Sequence, residues 1–299
     1  MRRLFTLDLI SLGMLMIRKI CTASYDVFSR AAAITVLSIT MATTGCTTLS
    51  TPVTPGTPTQ PSQSLTGNWQ VQLATTSGPL PFSSLAGFIS ESKTAYFNNG
   101  LETTATLQLS QPSACYAGTI LVPLVGQYVE PDLGLYSFTV NGQYLDITST
   151  VDSTENNFTG TYLITGGCAG SLNSQGTLAG TRYAPLNDTY TGTIANSAPA
   201  ESISLSLAQS ATGNGDGTSS ITGTATFSGF NCFAQAPLTS TSGSALGSAV
   251  TLVFADPTTS ANVTMIGNSD PAGDSITFNS ISVSAGACQG SLGTATLTS

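Results

Sequence analysis

The cysteines are the residues whose type and spacing offer this chain its most reactive chemistry. The chain has 299 residues, including six cysteines and no histidine. The pattern Gly-x-Cys-x-Gly occurs twice, at Gly166–Gly170 and at Gly286–Gly290. A nucleophilic cysteine needs a neighbouring base that removes its proton, and histidine is the usual one. Since the chain has none, we interpret both patterns as glycine-bracketed disulfide turns and predict no catalytic residue.

Three other groups of side chains offer weaker chemistry. Ser90–Lys93 fits the Ser-x-x-Lys pattern of serine β-lactamases, but the companion motifs are missing and the segment has a strand pattern. The oxygens of Asn214–Thr218 suit calcium, but the later acidic ligand is missing, so we expect a hairpin turn. Glu130 and Asp132 are interpreted as solvated loop carboxylates, because a glycosidase needs two carboxylates placed across a cleft. We predict no metal site and no cofactor.

Cys46 ends a segment that is typical of an export signal. Basic residues precede the apolar stretch Ala31–Ala42, which has the length of a signal-peptide core and is too short to span a bilayer as a helix. A small residue, Gly45, stands directly before the cysteine. The run Ala42–Cys46 resembles the bacterial lipobox, although Thr43 stands where that family usually has leucine.

The lipobox resemblance implies that residues 1–45 are a lipoprotein signal peptide and that Cys46 is acylated as the first mature residue. Each buried methylene of the acyl chains contributes about 0.8 kcal/mol, and more than one chain anchors a protein stably. Thr47 follows the cysteine, which by the same resemblance favours the outer membrane of the cell envelope. The alternative is an ordinary secreted protein that is cleaved near Ala42–Gly45 and keeps Cys46 as a free thiol.

Residues 46–64 are predicted to be the acylated cysteine and a disordered tether. Proline recurs at every third position, the spacing of one edge of a polyproline II helix: Pro52, Pro55, Pro58 and Pro61. The segment lacks residues that pack a core. A spacer that lifts a domain off a membrane and a passive linker both fit this composition.

The charge balance excludes nucleic acid as a partner. Five of the seven basic residues and two of the fifteen acidic residues precede Cys46. Beyond it only Lys93 and Arg182 are basic, against thirteen acidic residues, and the formal net charge is −11. Two cations cannot neutralise a row of phosphates.

The chain beyond the tether contains an internal repeat, which predicts two domains, residues 65–183 and residues 184–299. Three landmarks keep their order at offsets of 117, 120 and 121 residues: Cys115 with Cys232, Gly166–Leu172 with Gly286–Leu292, and Leu65–Trp69 with Leu186–Tyr190.

Each predicted domain holds two cysteines, which the repeat pairs as Cys115 with Cys168 and Cys232 with Cys288. An exported compartment permits such disulfides. Each loop closure stabilises its domain by about 4 kcal/mol in the chain-entropy model. Buried free thiols are the alternative, whereas zinc is disfavoured because the chain has neither histidine nor a Cys-x-x-Cys pair.

Apolar residues alternate with polar ones in both domains, which predicts half-buried antiparallel strands. The clearest runs are Trp69–Leu73, Ala105–Leu109, Ile203–Leu207 and Ile276–Val283. Turn signals separate the runs, at Asn98–Gly100, Asn141–Gly142, Asn214–Gly217 and Asp270–Gly273. The predicted fold class is all-β, with two tandem antiparallel β-barrel or β-sandwich domains of seven or eight strands each.

The Gly-x-Trp of Gly67–Trp69 resembles the opening motif of lipocalin-like barrels, in which the tryptophan plugs one barrel end. The second domain has Asp188–Tyr190 instead. The mature chain as a whole is similar to uncharacterised bacterial lipoproteins built from tandem all-β units, a resemblance that implies no particular activity.

We expect a membrane-anchored, non-catalytic envelope protein that binds a glycan, an apolar small molecule or a protein partner. Five aromatic side chains are candidates for stacking on sugars, although we expect most of them to be core or strand-face residues: Trp69, Tyr96, Tyr128, Tyr136 and Tyr144. The alternative is a structural or adhesive protein with two well-packed domains and no sizeable pocket. A carboxylate-based hydrolase is the remaining enzyme class, because histidine is missing and lysine and arginine are nearly absent beyond Cys46, which removes most acid–base options. A pair of buried, facing carboxylates in one cavity would favour it.

Overall fold

The described part of the chain consists of strands joined by turns and loops. The computed structural model describes residues 64–78, 82–95, 100–109, 121–137, 144–166, 173–195, 197, 200–230, 237–256 and 258–299. These residues form sixteen strands and include no helix with the length and apolarity needed to cross a membrane.

The first eight strands form a closed antiparallel barrel, barrel 1, in which each strand pairs with its neighbour in sequence and the last pairs with the first. The strands are β1 (Gly67–Ser77), β2 (Ser84–Ala95), β3 (Leu101–Leu109), β4 (Leu121–Val129), β5 (Asp132–Tyr136), β6 (Tyr144–Val151), β7 (Asn157–Thr165) and β8 (Ser174–Tyr183).

The remaining eight strands form barrel 2, which closes in the same way, because its first strand pairs with both its second and its last. The strands are β9 (Thr189–Ile194), β10 (Ser202–Gly213), β11 (Ser219–Ser228), β12 (Leu238–Leu246), β13 (Ala249–Ala255), β14 (Asn262–Ser269), β15 (Ser275–Val283) and β16 (Gly290–Thr298). The predicted all-β tandem architecture is confirmed, and each repeat is a barrel.

Polar–apolar alternation explains why these segments form barrel walls. In β6 the buried residues Leu145, Ile147, Ser149 and Val151 alternate with more exposed neighbours, so one face points inward and the other outward. The predicted turns Asn214–Gly217 and Asp270–Gly273 lie between β10 and β11 and between β14 and β15. Asn141–Gly142 lies outside the described residues.

The strict alternation predicted for Ile276–Val283 is wrong in the middle of that run. Asn279 and Ser280 are both exposed, and the pairing of β15 with β16 shifts between Phe278 and Ile281. A β-bulge adds a residue to one strand and so restores the inward direction of the side chains that follow. The bulge thereby buries Ile276 and Phe278 on one side of it and Ile281 and Val283 on the other.

Each barrel interior is packed with its own continuous cluster of buried side chains. In barrel 1, Trp69 is fully buried and its ring centroid lies 5.0 Å from that of Phe158. Gly180 on β8 leaves the space that the Phe158 ring occupies. Eight-stranded barrels are just wide enough for side chains to fill, and these two are filled in that way.

Both barrels belong to one compact unit, Thr57–Ser299, and a pair of reciprocal hydrogen bonds joins them. Asn68 Nδ2 donates to the carbonyl of Gly247, and the Gly247 N–H donates to Asn68 Oδ1, each at 2.7 Å and buried. Gly247 follows β12 with φ 57°, a conformation that favours glycine. Beside this link the Phe88 ring of β2 occupies the space that Gly213 leaves.

Candidate functional site

Most of the predicted cysteine chemistry falls outside the part of the chain that the structure describes. Cys46, Cys115, Cys168 and Cys232 are not among the described residues. Cys288 lies between β15 and β16, is packed against the core of barrel 2 and is disulfide-bonded. Its pairing with Cys232, the pairing of Cys115 with Cys168, and the acylation of Cys46 all stay predictions.

The weaker sequence candidates lie in separate places. Ser90–Lys93 belongs to strand β2 and not to the start of a helix. In the turn Asn214–Thr218, the Asp216 carboxylate accepts hydrogen bonds from the N–H and the hydroxyl of Thr218, so the loop satisfies its own polar groups. Within the described residues no group of three or more metal-ligating side chains of the His, Cys, Asp or Glu type comes together.

Trp69 and Tyr128 are core residues with at most 1% exposure, so neither side chain is available to stack on a sugar. The Trp69 indole donates a hydrogen bond of 2.7 Å to the Leu65 carbonyl. Tyr136 and Tyr144 are half-buried on the outer face of barrel 1, and Tyr96 lies outside the described residues.

A cleft of about 640 Å³ lies where the two barrels meet, within the size range of ligand sites. Its barrel 1 wall contains a row of outward-facing side chains that the strand register sets side by side. Asn68 pairs with Tyr183 on one side and with Phe88 on the other. Asn157 and Thr181, which are paired across β7 and β8, extend this wall.

The opposite wall of the cleft belongs to barrel 2. Gln209, Ser210 and Ala211 of β10 line it, together with Pro271 and Ala272 of the turn between β14 and β15. The cleft therefore needs both barrels, and neither sequence repeat contains it alone.

The segment between the barrels is held in place by hydrogen bonds to barrel 2. The Ala184 N–H donates to the Pro271 carbonyl at 2.9 Å. The Leu186 N–H donates to Gln209 Oε1 at 3.0 Å, and the Gln209 N–H donates to Asn187 Oδ1 at 2.6 Å. These bonds and the reciprocal Asn68–Gly247 pair fix both walls, so the cleft is preformed.

A half-buried carboxylate, Glu91, and a buried one, Glu155, lie at the end of barrel 1 beside the cleft. Glu91 Oε2 accepts a hydrogen bond of 2.8 Å from the Ser64 hydroxyl, and Glu155 Oε1 accepts one of 3.2 Å from Tyr128. Their other oxygens, Glu91 Oε1 and Glu155 Oε2, are buried and have no hydrogen-bond partner among the described residues. Burial raises the pKa of both carboxyl groups above its ordinary value.

Arg182 connects this acidic end with the cleft. Its side chain lines the cleft, and its charge acts favourably on both Glu91 and Glu155. The guanidinium donates from Nε to Asn156 Oδ1 at 3.0 Å and from Nη1 to the Ser64 carbonyl. Its position is therefore fixed by exposed hydrogen bonds at the end of barrel 1.

Sequence reasoning missed the cleft because its lining comes from strands far apart in the chain. One signal was present, since Arg182 is one of only two basic residues beyond Cys46. A cation in so acidic a chain points to a defined role, and here it bonds to Asn156 and Ser64 and interacts electrostatically with Glu91 and Glu155. The cleft walls themselves consist of Thr, Asn, Tyr and Pro residues that are common throughout the chain.

Comparison of this chain with known protein families, curated proteins and solved structures gives no match.

Proposed function

We propose that this chain is a lipid-anchored protein of the bacterial envelope and that it binds its ligand without catalysis in the cleft between the two barrels. The observation that carries the binding proposal is the cleft of about 640 Å³ lined from both barrels. It is set between two barrels whose interiors are packed with side chains.

The packed interiors favour an external site over an internal one. A ligand inside either barrel would have to displace side chains such as Trp69 or Phe254, which are fully buried, and emptying a packed core costs several kcal/mol, roughly 3–5 for one large side chain. The cleft needs no such displacement. A purely structural role, the alternative, gives no reason for a preformed cleft of ligand size.

The positions of the carboxylates support a non-catalytic role. Glu91 and Glu155 lie at the end of barrel 1, and neither side chain lines the cleft. Among the described residues, Arg182 is the only charged side chain in the cleft lining, and none of them supplies the two carboxylates that a glycosidase places on opposite sides of its substrate.

A cleft-blocking substitution tests the binding proposal. Ala272 is exposed and lines the cleft, so Ala272→Trp fills the cleft without disturbing a core. Ala287→Trp is the matched control, because Ala287 is an exposed turn residue outside the cleft lining. The full chain, expressed with its leader, is screened by thermal shift against glycans, apolar small molecules and envelope proteins.

We expect at least one class of ligand to raise the melting temperature of the wild type and of Ala287→Trp but not of Ala272→Trp, since a ligand stabilises only the state that binds it. Ligands that stabilise all three proteins equally, or no ligand at all, would refute the cleft as the binding site.

The location is tested separately by intact-mass analysis of the processed protein under non-reducing conditions. The proposal predicts a chain that begins at an acylated Cys46 and contains two disulfides. A chain that keeps residues 1–45, or that begins elsewhere without acyl chains, would contradict the anchor and leave the cleft untouched.

A further inference from the structure

We propose that the ligand of the cleft is an uncharged oligosaccharide, held against Tyr183 on the barrel 1 wall. This inference rests on the proposed function and names the class of molecule that the cleft takes. Three properties of the lining carry it: its hydrogen-bonding groups, its one partly exposed aromatic ring and its charge.

The cleft offers hydrogen-bonding groups of the kind that sugar hydroxyls pair with. Asn157 and Thr181 stand side by side on barrel 1, and Gln209 and Ser210 follow each other on barrel 2. Amide and hydroxyl side chains both donate and accept hydrogen bonds, and a sugar hydroxyl also does both. Part of this capacity is used within the chain, where Asn157 bonds to Asp152, Gln209 to Leu186 and Ser210 to Thr212. The remaining donors and acceptors would lose water without replacement under a fatty acyl chain, at a cost in affinity.

Tyr183 supplies the surface on which a sugar ring can lie. It is half-buried on the outer face of β8 and lines the cleft. A tyrosine gives a large, rigid and amphipathic contact area at a low cost in side-chain entropy. Phe88, the other ring in the lining, is 5% exposed and packs beside Gly213, so Tyr183 is the accessible ring of the cleft.

The charge of the cleft favours a neutral ligand. Among the described residues, no Asp, Glu or Lys side chain is in its lining, and the one cation, Arg182, interacts electrostatically with Glu91 and Glu155. The chain beyond Cys46 carries a formal net charge of −11, which repels polyanions at long range. An acidic polysaccharide would therefore meet a single cation, with carboxyl groups near it, in a strongly negative protein.

The experiment is calorimetric titration of the processed full chain with three probes: neutral malto-, cello- and chito-oligosaccharides, oligogalacturonates, and a monoacylglycerol. Tyr183→Ala removes the ring, and Tyr183→Phe keeps the ring but removes the hydroxyl. Tyr144→Ala is the matched control, because Tyr144 is a half-buried tyrosine on the same barrel that does not line the cleft.

We expect a neutral oligosaccharide to bind, with an affinity that salt hardly changes. Tyr183→Ala should weaken this binding by about tenfold or more, whereas Tyr183→Phe and Tyr144→Ala should stay within about threefold of the wild type. Circular dichroism of each variant shows whether the barrels are intact. If Tyr183→Ala fails to fold, Ala272→Trp, which fills the cleft and should abolish oligosaccharide binding, still tests the site.

Three results would overturn the inference. Oligosaccharide binding that Tyr183→Ala leaves unchanged would place the sugar elsewhere. Binding of only the oligogalacturonate or only the monoacylglycerol, lost in Ala272→Trp, would give the cleft a different ligand class and leave the proposed function standing. No binding of any probe, together with no thermal shift in the wider screen, would remove both proposals.

Discussion

The two barrels have the same hydrogen-bonded contact at one end, but they make it with different side chains. In barrel 1 the Glu91 carboxylate accepts a hydrogen bond from the backbone of Leu65. In barrel 2 the Gln209 amide oxygen accepts the corresponding bond from Leu186, which is the repeat partner of Leu65. The same contact is thus made by an ionisable group in one barrel and by a neutral group in the other.

The turns at these ends show the same contrast. Asp152 N–H donates to Asn157 in barrel 1, as Asp270 N–H donates to Ser275 in barrel 2. Within these matching turns, Glu155 has φ 53° where Gly273 has φ 77°. A left-handed conformation costs a residue with a side chain about 1–2 kcal/mol. Barrel 1 thus keeps a buried carboxylate at a position where barrel 2 uses the residue that the backbone favours.

The features that the two repeats share build the barrels. The features in which they differ lie at the barrel ends, and in barrel 1 this end is beside the cleft. The end of barrel 1 holds Glu91, Glu155, Tyr128 and Arg182, and Arg182 alone of these reaches the cleft. We interpret the acidic end as the support that fixes Arg182 at the cleft wall.

The largest expected effect comes from removing the tryptophan of the barrel 1 end. Trp69→Ala should lower the free energy of unfolding by about 3–5 kcal/mol, because it leaves a cavity in a packed core. Tyr190→Phe, at the matching position of barrel 2, loses only the 2.7 Å hydrogen bond to the Gly273 carbonyl and should cost about 1–3 kcal/mol. Urea denaturation measures the free energy of unfolding of both variants. Equal losses would contradict the expectation that the Trp69 side chain contributes more to stability than the Tyr190 hydroxyl.

Asn68→Ala should have the next largest effect. It leaves the buried N–H and C=O of Gly247 without partners, so we expect a loss of about 1–3 kcal/mol for an unsatisfied buried group. Thr189 is the repeat partner of Asn68 and is exposed, so Thr189→Ala should change stability by less than about 0.5 kcal/mol. A small effect of Asn68→Ala in urea denaturation would show that the barrels are not joined by this pair.

The pH dependence of stability should differ between the two barrel ends. Glu91 and Glu155 have pKa values raised above 4.5 in the folded state by burial, so the folded chain binds protons more tightly than the unfolded chain. Their contribution to stability is therefore greatest below the unfolded pKa and is lost as pH rises through the raised pKa.

The double variant Glu91→Gln and Glu155→Gln isolates this contribution. We expect it to gain stability relative to the wild type as pH rises from 4 to 8, measured by thermal unfolding across that range. Hydrogen bonds, first that from Asn157, lower the pKa of Asp152 to about 2. Asp152 is present in both proteins, so its contribution cancels in the difference between their stabilities. A difference that stays constant with pH would refute the raised pKa values.

The smallest effect is expected when a carboxylate is placed in barrel 2 at the position that matches Glu91. Gln209→Glu should reproduce in barrel 2 the contact that Glu91 makes in barrel 1, and so introduce a loss of stability at neutral pH that disappears in acid. Gln209→Met, which has similar size and no charge, is the control. If Gln209→Glu is as stable as the wild type at every pH, the side chain at position 209 of barrel 2 is not buried in the way that Glu91 is in barrel 1.

The sequence predicts the barrels well because their signals are local. Alternation in runs such as Trp69–Leu73 and the turn residues of Asn214–Gly217 each act over a few positions, and the repeat supplies a second copy of the pattern. The alternation fails at Asn279 and Ser280, which are two successive polar residues between Phe278 and Ile281. The strand pairing shows that a bulge compensates for this one-residue slip.

The cleft could not be predicted in this way. Tyr183 and Ala272 are 89 residues apart in the chain and meet only because Asn68, Ala184 and Gln209 fix one barrel against the other. The buried character of Glu155 was equally hidden, because a glutamate in a turn is usually solvated. Aligning that turn with Asp270–Gly273 would have shown a glutamate opposite a glycine.

Hydrogen–deuterium exchange of the processed protein, with and without a saturating neutral oligosaccharide, tests the cleft most directly. The account predicts added protection on both barrels at once, in Thr181–Ala184, in Gln209–Ala211 and in the turn around Ala272. Protection confined to the outer face of barrel 1 around Gly134 and Gly160, which lie in a separate groove, would contradict it.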